Sequence, residues 1–306
     1  MSQNINVIIE ADGIVAMQKL PDNYAHLILS DIPYGIGLED WDVLHSNTNS
    51  AFLGTSPAQV KAGAVFKKRG KPINGWSDAD REIPKQYYDW CLTWAATWLR
   101  VVKPGGSVFI FAGRRYSHRC ITALEDVGFS FKDMFAWTRQ RAPHRAQRIS
   151  VIYERREDHE NAEKWKGWRV GNLRPTFEPV LWFTKPYKIG TTIADNVLAH
   201  GVGAFNEEAF LKYEKSPDNT LSCGFEAHES GLHVAQKPLK LMQALIELTT
   251  KEGQIVIDPF CGSGSTLLAA KLLGRNFLGY ETDPKYVKLA EERLRSGFRH
   301  QTTIPL

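Results

Sequence analysis

The chain has 306 residues, 43% hydrophobic and 24% charged, a composition that excludes disordered, collagenous and membrane-embedded classes. Thirty-eight Lys and Arg against 34 Asp and Glu leave a net charge of +4, too weak a balance to announce a nucleic-acid partner by itself. The four cysteines, Cys91, Cys120, Cys223 and Cys261, are too far apart for a C-x-x-C pair or a disulfide framework, so no metal site is expected.

In chain order, short β-rich apolar runs alternate with helix-period segments, the pattern of an α/β protein with a largely parallel sheet. Strands are predicted at Val7–Glu10, His26–Ser30, Ser107–Phe111, Met134–Thr138, Pro179–Thr184, Gln254–Ile257 and Phe277–Tyr280. A helix is predicted over Lys85–Val102, where Trp90, Trp94 and Trp98 recur every four residues as core positions before Lys103-Pro104-Gly105-Gly106 stops it. Pro238–Lys251, Ser265–Leu273 and Pro284–Arg295 read as three more, the last capped by Asp283. Segments 41–80 and 185–231 are rich in Gly, Asn, Ser and charge with poor periodicity, and read as insertions on one domain spanning 1–306. The amino terminus has no basic region followed by a long apolar run, and no run reaches the about 18 residues of a membrane span. A cytoplasmic location is expected.

The segment Ile255 to Pro284 reads as strand, glycine turn, helix, strand and then an acidic residue. Gly262 and Gly264 would let backbone approach a ligand, and Glu281 would accept hydrogen bonds from ribose hydroxyls. The turn lacks the Gly-Lys-Ser/Thr of a phosphate loop, and Leu267 stands where a dinucleotide fingerprint needs its third glycine. Asp31-Ile32-Pro33-Tyr34 follows the strand His26–Ser30, which places a carboxylate at the strand edge where open α/β sheets bind ligands.

Asp258-Pro259-Phe260-Cys261-Gly262-Ser263-Gly264 resembles the cofactor loop of S-adenosylmethionine-dependent methyltransferases, and Asp31-Ile32-Pro33-Tyr34 is similar to the Asp-Pro-Pro-Tyr motif of amino-group DNA methyltransferases. The acceptor motif precedes the cofactor motif by more than 220 residues, the permuted order of the β group of that family. Lys103 to Gly106, Glu178-Pro179 and Gln236-Lys237-Pro238 match further family segments, and together the matches span about two-thirds of the chain. Ile32 and Val234 depart from prolines usual in the family, and His233 reads as structural.

The resemblance implies a Rossmann-like methyltransferase fold, with helices on both faces of a mostly parallel twisted sheet. It implies methyl transfer to the exocyclic amine of a base flipped out of double-stranded DNA. Adenine N6 is favoured over cytosine N4, whose enzymes more often carry Ser at the position of Asp31. RNA, protein glutamine and an inactive DNA-binding homologue are the weaker alternatives. By the same resemblance, Asp31 and the Ile32 carbonyl would accept the amine hydrogens, with Pro33 shaping the turn and Tyr34 stacking on the base. Asp258, Phe260, Gly262, Gly264, Ser265, Glu281 and Lys237 would surround S-adenosylmethionine, with no metal.

Lys61–Lys71 carries five basic residues and no acid, and Arg139–Arg148 four arginines and no acid. Charge runs usually decorate solvated loops. The resemblance makes 41–80 a candidate flap over the base, and 139–174 and 185–231 candidate DNA-recognition segments. It also leaves room for a homodimer and a partner restriction endonuclease.

Overall fold

A computed structural model describes residues 5–35, 42–45, 78–139, 146–226, 229 and 236–296. In chain order the elements are β1 (Val7–Glu10), α1 (Gly13–Ala16), β2 (Ala25–Asp31), α2 (Asp78–Val101), β3 (Val102–Phe111), α3 (Ser117–Asp126), β4 (Ser130–Thr138), β5 (Gln147–Arg148), α4 (Ile149–Glu154), α5 (His159–Lys164) and β6 (Arg169–Val170). Then come β7 (Phe177–Thr184), α6 (Ile193–His200), α7 (Glu207–Phe210), β8 (Thr220–Leu221), α8 (Leu239–Thr249), β9 (Ile255–Asp258), α9 (Ser265–Leu272), β10 (Asn276–Glu281) and α10 (Pro284–Ser296).

Eight strands form one sheet in the order β1-β10-β9-β2-β3-β7-β4-β8. The run from β1 to β3 is parallel throughout, and β7 then pairs antiparallel to both β3 and β4. Side chains alternate between the two faces, as the strand period requires. Ile28, Val108, Ile110, Leu181 and Phe183 face α2 and α3, whereas Leu27, Leu29, Phe109, Phe111, Val180 and Trp182 face α8 and α9. This is the expected Rossmann-like α/β sandwich, with helices on both faces.

Each predicted strand is present, most of them extended by one or more residues. Helix α2 begins at Asp78 rather than Lys85 and contains Pro84. Burial of Asp80, Ile83, Tyr87, Cys91, Trp94 and Trp98 continues the helical stripe through the proline, so tertiary packing outweighs the missing N–H to the Asp80 carbonyl. Trp94 and Trp98 are core as expected, but Trp90 lies only partly in the core and lines a cavity described below. Of the expected flap, 46–77 and residue 41 lie outside the described residues, as does His233.

Residues 185–226 are more ordered than the composition of the segment 185–231 suggests. Thr192 and Asp195 form a reciprocal capping box that starts α6, Asn206 caps α7, and β8 extends the sheet beyond β4. Phe210, Leu221 and Cys223 are buried in the α8-side core.

His26 joins β2 to β9: its Nδ1 accepts the Ile255 N–H at 3.1 Å. Burial, helped by nearby Lys103, pushes its pKa down to about 4. The folded state therefore keeps His26 neutral at a pH where the unfolded chain, near the ordinary 6.5, already binds a proton. Its contribution to stability is intact above pH 6.5 and is lost as pH falls toward 4. Denaturant unfolding of wild type and His26→Gln at several pH values should show the difference between the two changing through this window; a pH-independent difference contradicts the assignment.

Candidate active site

The order in which strands are added reverses between β9 and β2, which are parallel: β10 and β1 lie to one side, β3 to the other. At such a switch point the loops diverge and leave a crevice beyond the carboxyl ends of the strands. Asp31 ends β2 and Asp258 ends β9, and these strands are paired neighbours. Ser30 Oγ donates to Asp258 Oδ1 at 2.6 Å, so the two distant motifs are directly linked. The Phe260 N–H also donates to Asp258 Oδ1, at 3.2 Å, which tightens the turn. Burial pushes the Asp258 carboxyl up to about 6 against the opposing pull of hydrogen bonds from Ser30, Thr266 and Phe260.

A cavity of about 380 Å³ opens at this edge, within the roughly 300–1,000 Å³ of small-molecule pockets. Asp31 enters it from the end of β2, Pro33 from the turn that follows, and Lys237 from the segment before α8. Asp258, Phe260, Gly262 and Ser265 enter from the β9–α9 turn, and Glu281 from the end of β10. Glu281 is firmly oriented: Oε2 accepts the Gly262 N–H at 2.9 Å, while Oε1 accepts the N–H groups of Thr282 and Asp283 at 2.8 and 2.9 Å. Two lone pairs per oxygen leave Oε2 able to take another donor.

Three expected site residues lie off the cavity wall. Ile32 is 2% exposed and packs into the α2-side core. Gly264 holds φ +76° at the start of α9, where an added Cβ would come within 2.8 Å of the Ala290 side chain. The glycine thus admits α10 to the turn. Tyr34 stands behind Asp31, its ring packed against Gly113, where a Cβ would meet Tyr34 Cβ at 2.9 Å.

The wall also includes residues that the sequence motifs do not mark: Gly13 and Ile14 after β1, Trp90 of α2, and Tyr286 of α10. Gly13 touches the β9 turn so closely that a Cβ would stand 2.1 Å from the Pro259 carbonyl oxygen. The available signal was positional, since Asp12-Gly13 follows a strand whose carboxyl end belongs at the ligand edge.

Around Asp31 the geometry is electrostatic. Its Oδ2 is paired with the Lys237 ammonium and its Oδ1 accepts the Tyr34 hydroxyl at 2.9 Å. The same hydroxyl lies 3.2 Å from Glu178 Oε2, and Arg139 pairs with Glu178 Oε1. Lys237 sits 4.0 Å from Glu178 and over the rings of Tyr34 and Phe111, 5.6 and 5.1 Å from their centroids. Burial pushes the Asp31 carboxyl up while Lys237 opposes it. Burial, with Asp31 and Glu178 adjacent, also drives Tyr34 far above its ordinary value, so its phenol remains a donor. Lys237, expected beside the cofactor, thus reaches both the cavity and the acceptor carboxylate.

The cavity suits S-adenosylmethionine. Glu281 Oε2 has capacity for a ribose hydroxyl, and Phe260, Trp90, Ile14 and Tyr286 offer apolar and aromatic wall for an adenine ring. Among the described residues no group of three or more His, Cys, Asp or Glu could hold a metal ion, and no helix is long and apolar enough to cross a membrane.

Comparison with known proteins agrees with this geometry. A family model described as DNA methylase matches residues 25–292. The chain is 54% identical over 295 residues to the type II methyltransferase M.HindIII of Haemophilus influenzae, covering 95% of each, and 26% identical to M.HinfI of the same species, covering 96% of this chain and 71% of that one. In fold it is similar to the PvuII DNA methyltransferase (cytosine-N4-specific), with a TM-score of 0.61 at 17% identity, covering 94% of this chain and 85% of that one. It is also similar to the M1.HpyAVI–SAM complex, with a TM-score of 0.55 at 23% identity over 94% and 98% of the two chains. A family model over most of the chain and 54% identity across nearly the whole length of a type II methyltransferase have one explanation: the chain belongs to the DNA methylase family, S-adenosylmethionine-dependent enzymes that methylate bases of DNA.

Proposed function

We propose that this enzyme transfers a methyl group to the N6 amine of an adenine flipped out of double-stranded DNA. The observation that carries the reading is the Asp31 carboxylate on the wall of the Glu281 cavity, where an acceptor for amine hydrogens can stand beside a methyl donor. An exocyclic amine is a poor nucleophile because its lone pair is delocalised into the ring. A hydrogen bond from that amine to Asp31 favours the pyramidal nitrogen, and the Ile32 carbonyl would accept the second hydrogen.

Bound S-adenosylmethionine supplies an electrophilic methyl group. Asp258, Phe260, Gly262, Ser265 and Glu281 would hold it, while Gly264 shapes the turn and Pro33 the acceptor loop. The Tyr34 ring would take the flipped base by stacking, which offsets an unstacking cost of a few kcal/mol. Positioning and polarisation of the amine are the chain's own contributions to catalysis.

For DNA recognition we favour 139–174 over 185–231. The small β5–β6 ribbon with α4 and α5 displays Arg148, Arg155, Lys166 and Arg169 beside Trp168, which is 62% exposed. Cations there would neutralise phosphates and position the duplex, with sequence read by groups at base edges. The burial of Phe210 and Leu221 gives 207–221 a scaffold role instead. The segment 41–80 remains the candidate flap. The same reading places the enzyme in the cytoplasm, with a second copy of the chain and a restriction endonuclease as the partners to look for.

The test is nucleoside mass spectrometry of unmethylated DNA after incubation with the protein and labelled cofactor. N6-methyladenine is the expected product; N4-methylcytosine alone would reject the adenine assignment.

A further inference from the structure

We infer that Glu178 is a positioning residue for methyl transfer, the second anchor to which the Lys237 ammonium moves when a target amine takes its place on Asp31. The inference rests on the acceptor role proposed for Asp31. In the structure both oxygens of that carboxylate are engaged, Oδ1 by the Tyr34 hydroxyl and Oδ2 by Lys237. An amine arriving at Oδ2 competes with an ammonium whose side chain is only 6% exposed. A buried cation cannot simply be released, because solvent is not there to receive it.

Glu178 supplies the alternative. Its Oε2 lies 4.0 Å from Lys237 Nζ, and closing that gap to the about 2.8 Å of a charge-assisted hydrogen bond needs only a small swing of the lysine. The ammonium would remain beside the Tyr34 and Phe111 rings that already flank it. The Glu178 end is itself braced: Arg139 holds Oε1, and the Tyr34 hydroxyl reaches Oε2 at 3.2 Å. One carboxylate thus fixes the stacking tyrosine and waits for the lysine.

Glu178→Gln keeps the size and the tyrosine contact but removes the charge that attracts Lys237. Single-turnover transfer by the cofactor-loaded enzyme should fall by about 10- to 100-fold, the scale of a misplaced reacting group, with cofactor affinity and melting temperature close to wild type. Glu178→Asp, which keeps the charge, should recover part of the rate. In a Lys237→Met background Glu178→Gln should have little further effect, because the ammonium it anchors is gone. A Glu178→Gln rate within about twofold of wild type, or losses that multiply in the double variant, would overturn the inference. So would equal loss in Gln and Asp variants accompanied by lost cofactor binding, which marks a merely structural role. If Asp31→Ala retains transfer, the acceptor reading itself is wrong; if it is inactive while Glu178→Gln is unimpaired, only the present inference is.

Discussion

Asp31→Ala is expected to lower the methyl-transfer rate by about 10²- to 10⁴-fold, the range measured when a group that polarises the reacting atom is removed. Cofactor affinity should change little, since the residues proposed to hold the cofactor come from the β9–α9 turn and the end of β10. The fold should survive, because Asp31 lies at the end of its strand and Lys237, left without this partner, has Glu178 within 4.0 Å. Calorimetry with S-adenosylhomocysteine and a single-turnover assay separate the two effects. Lost affinity with retained turnover would reverse the roles given to the two motifs.

Glu281→Ala is expected to do the converse. One hydrogen bond from a ribose hydroxyl to the open position on Oε2, at about 1.5–3 kcal/mol for a bond to a charged group, sets the scale, and its loss corresponds to an apparent cofactor affinity lower by about 10- to 100-fold. The substitution also frees the N–H groups of Gly262, Thr282 and Asp283 that now orient the carboxylate. Turnover at saturating cofactor should approach that of the wild type, because Glu281 bonds Gly262, Thr282 and Asp283, whereas Asp31 is held by Tyr34 and Lys237. Unchanged cofactor KM would remove Glu281 from the ribose role.

Much of the framework is legible in the sequence, for a physical reason. Parallel strands buried on both faces are written as short apolar runs, and their carboxyl ends fall on one edge, so Asp31, Asp258 and Glu281 can be placed together before any coordinates are known. Gly264 shows the limit of that reasoning: its positive φ and contact with Ala290 serve helix packing, and a glycine motif alone does not distinguish that from ligand approach. The start of α2 was hidden by Pro84, which local rules read as a boundary although the buried stripe continues through it.

The Glu178 network was not legible at all. Glu178 reaches Tyr34 only because β7 runs antiparallel to β3 with Phe111 opposite Val180. Strand direction and register at the sheet's far side are not encoded in any local pattern near residue 178. Arg139 is equally ambiguous in sequence, where it is one of four arginines in a basic run, and only the β4–β7 pairing brings it to Glu178. The segment 207–221 read as insertion because its buried anchors, Phe210 and Leu221, are isolated apolar residues without period.

The most direct measurement is a crystal structure with S-adenosylhomocysteine bound. Its ribose should lie on Glu281 and its sulfur should face the Asp31 carboxylate across the cavity, near enough for one amine nitrogen to touch both Asp31 and a methyl group on that sulfur. A sulfur bound away from Asp31, with no rearrangement of the β2 end able to bring them together, would contradict methyl transfer at this site.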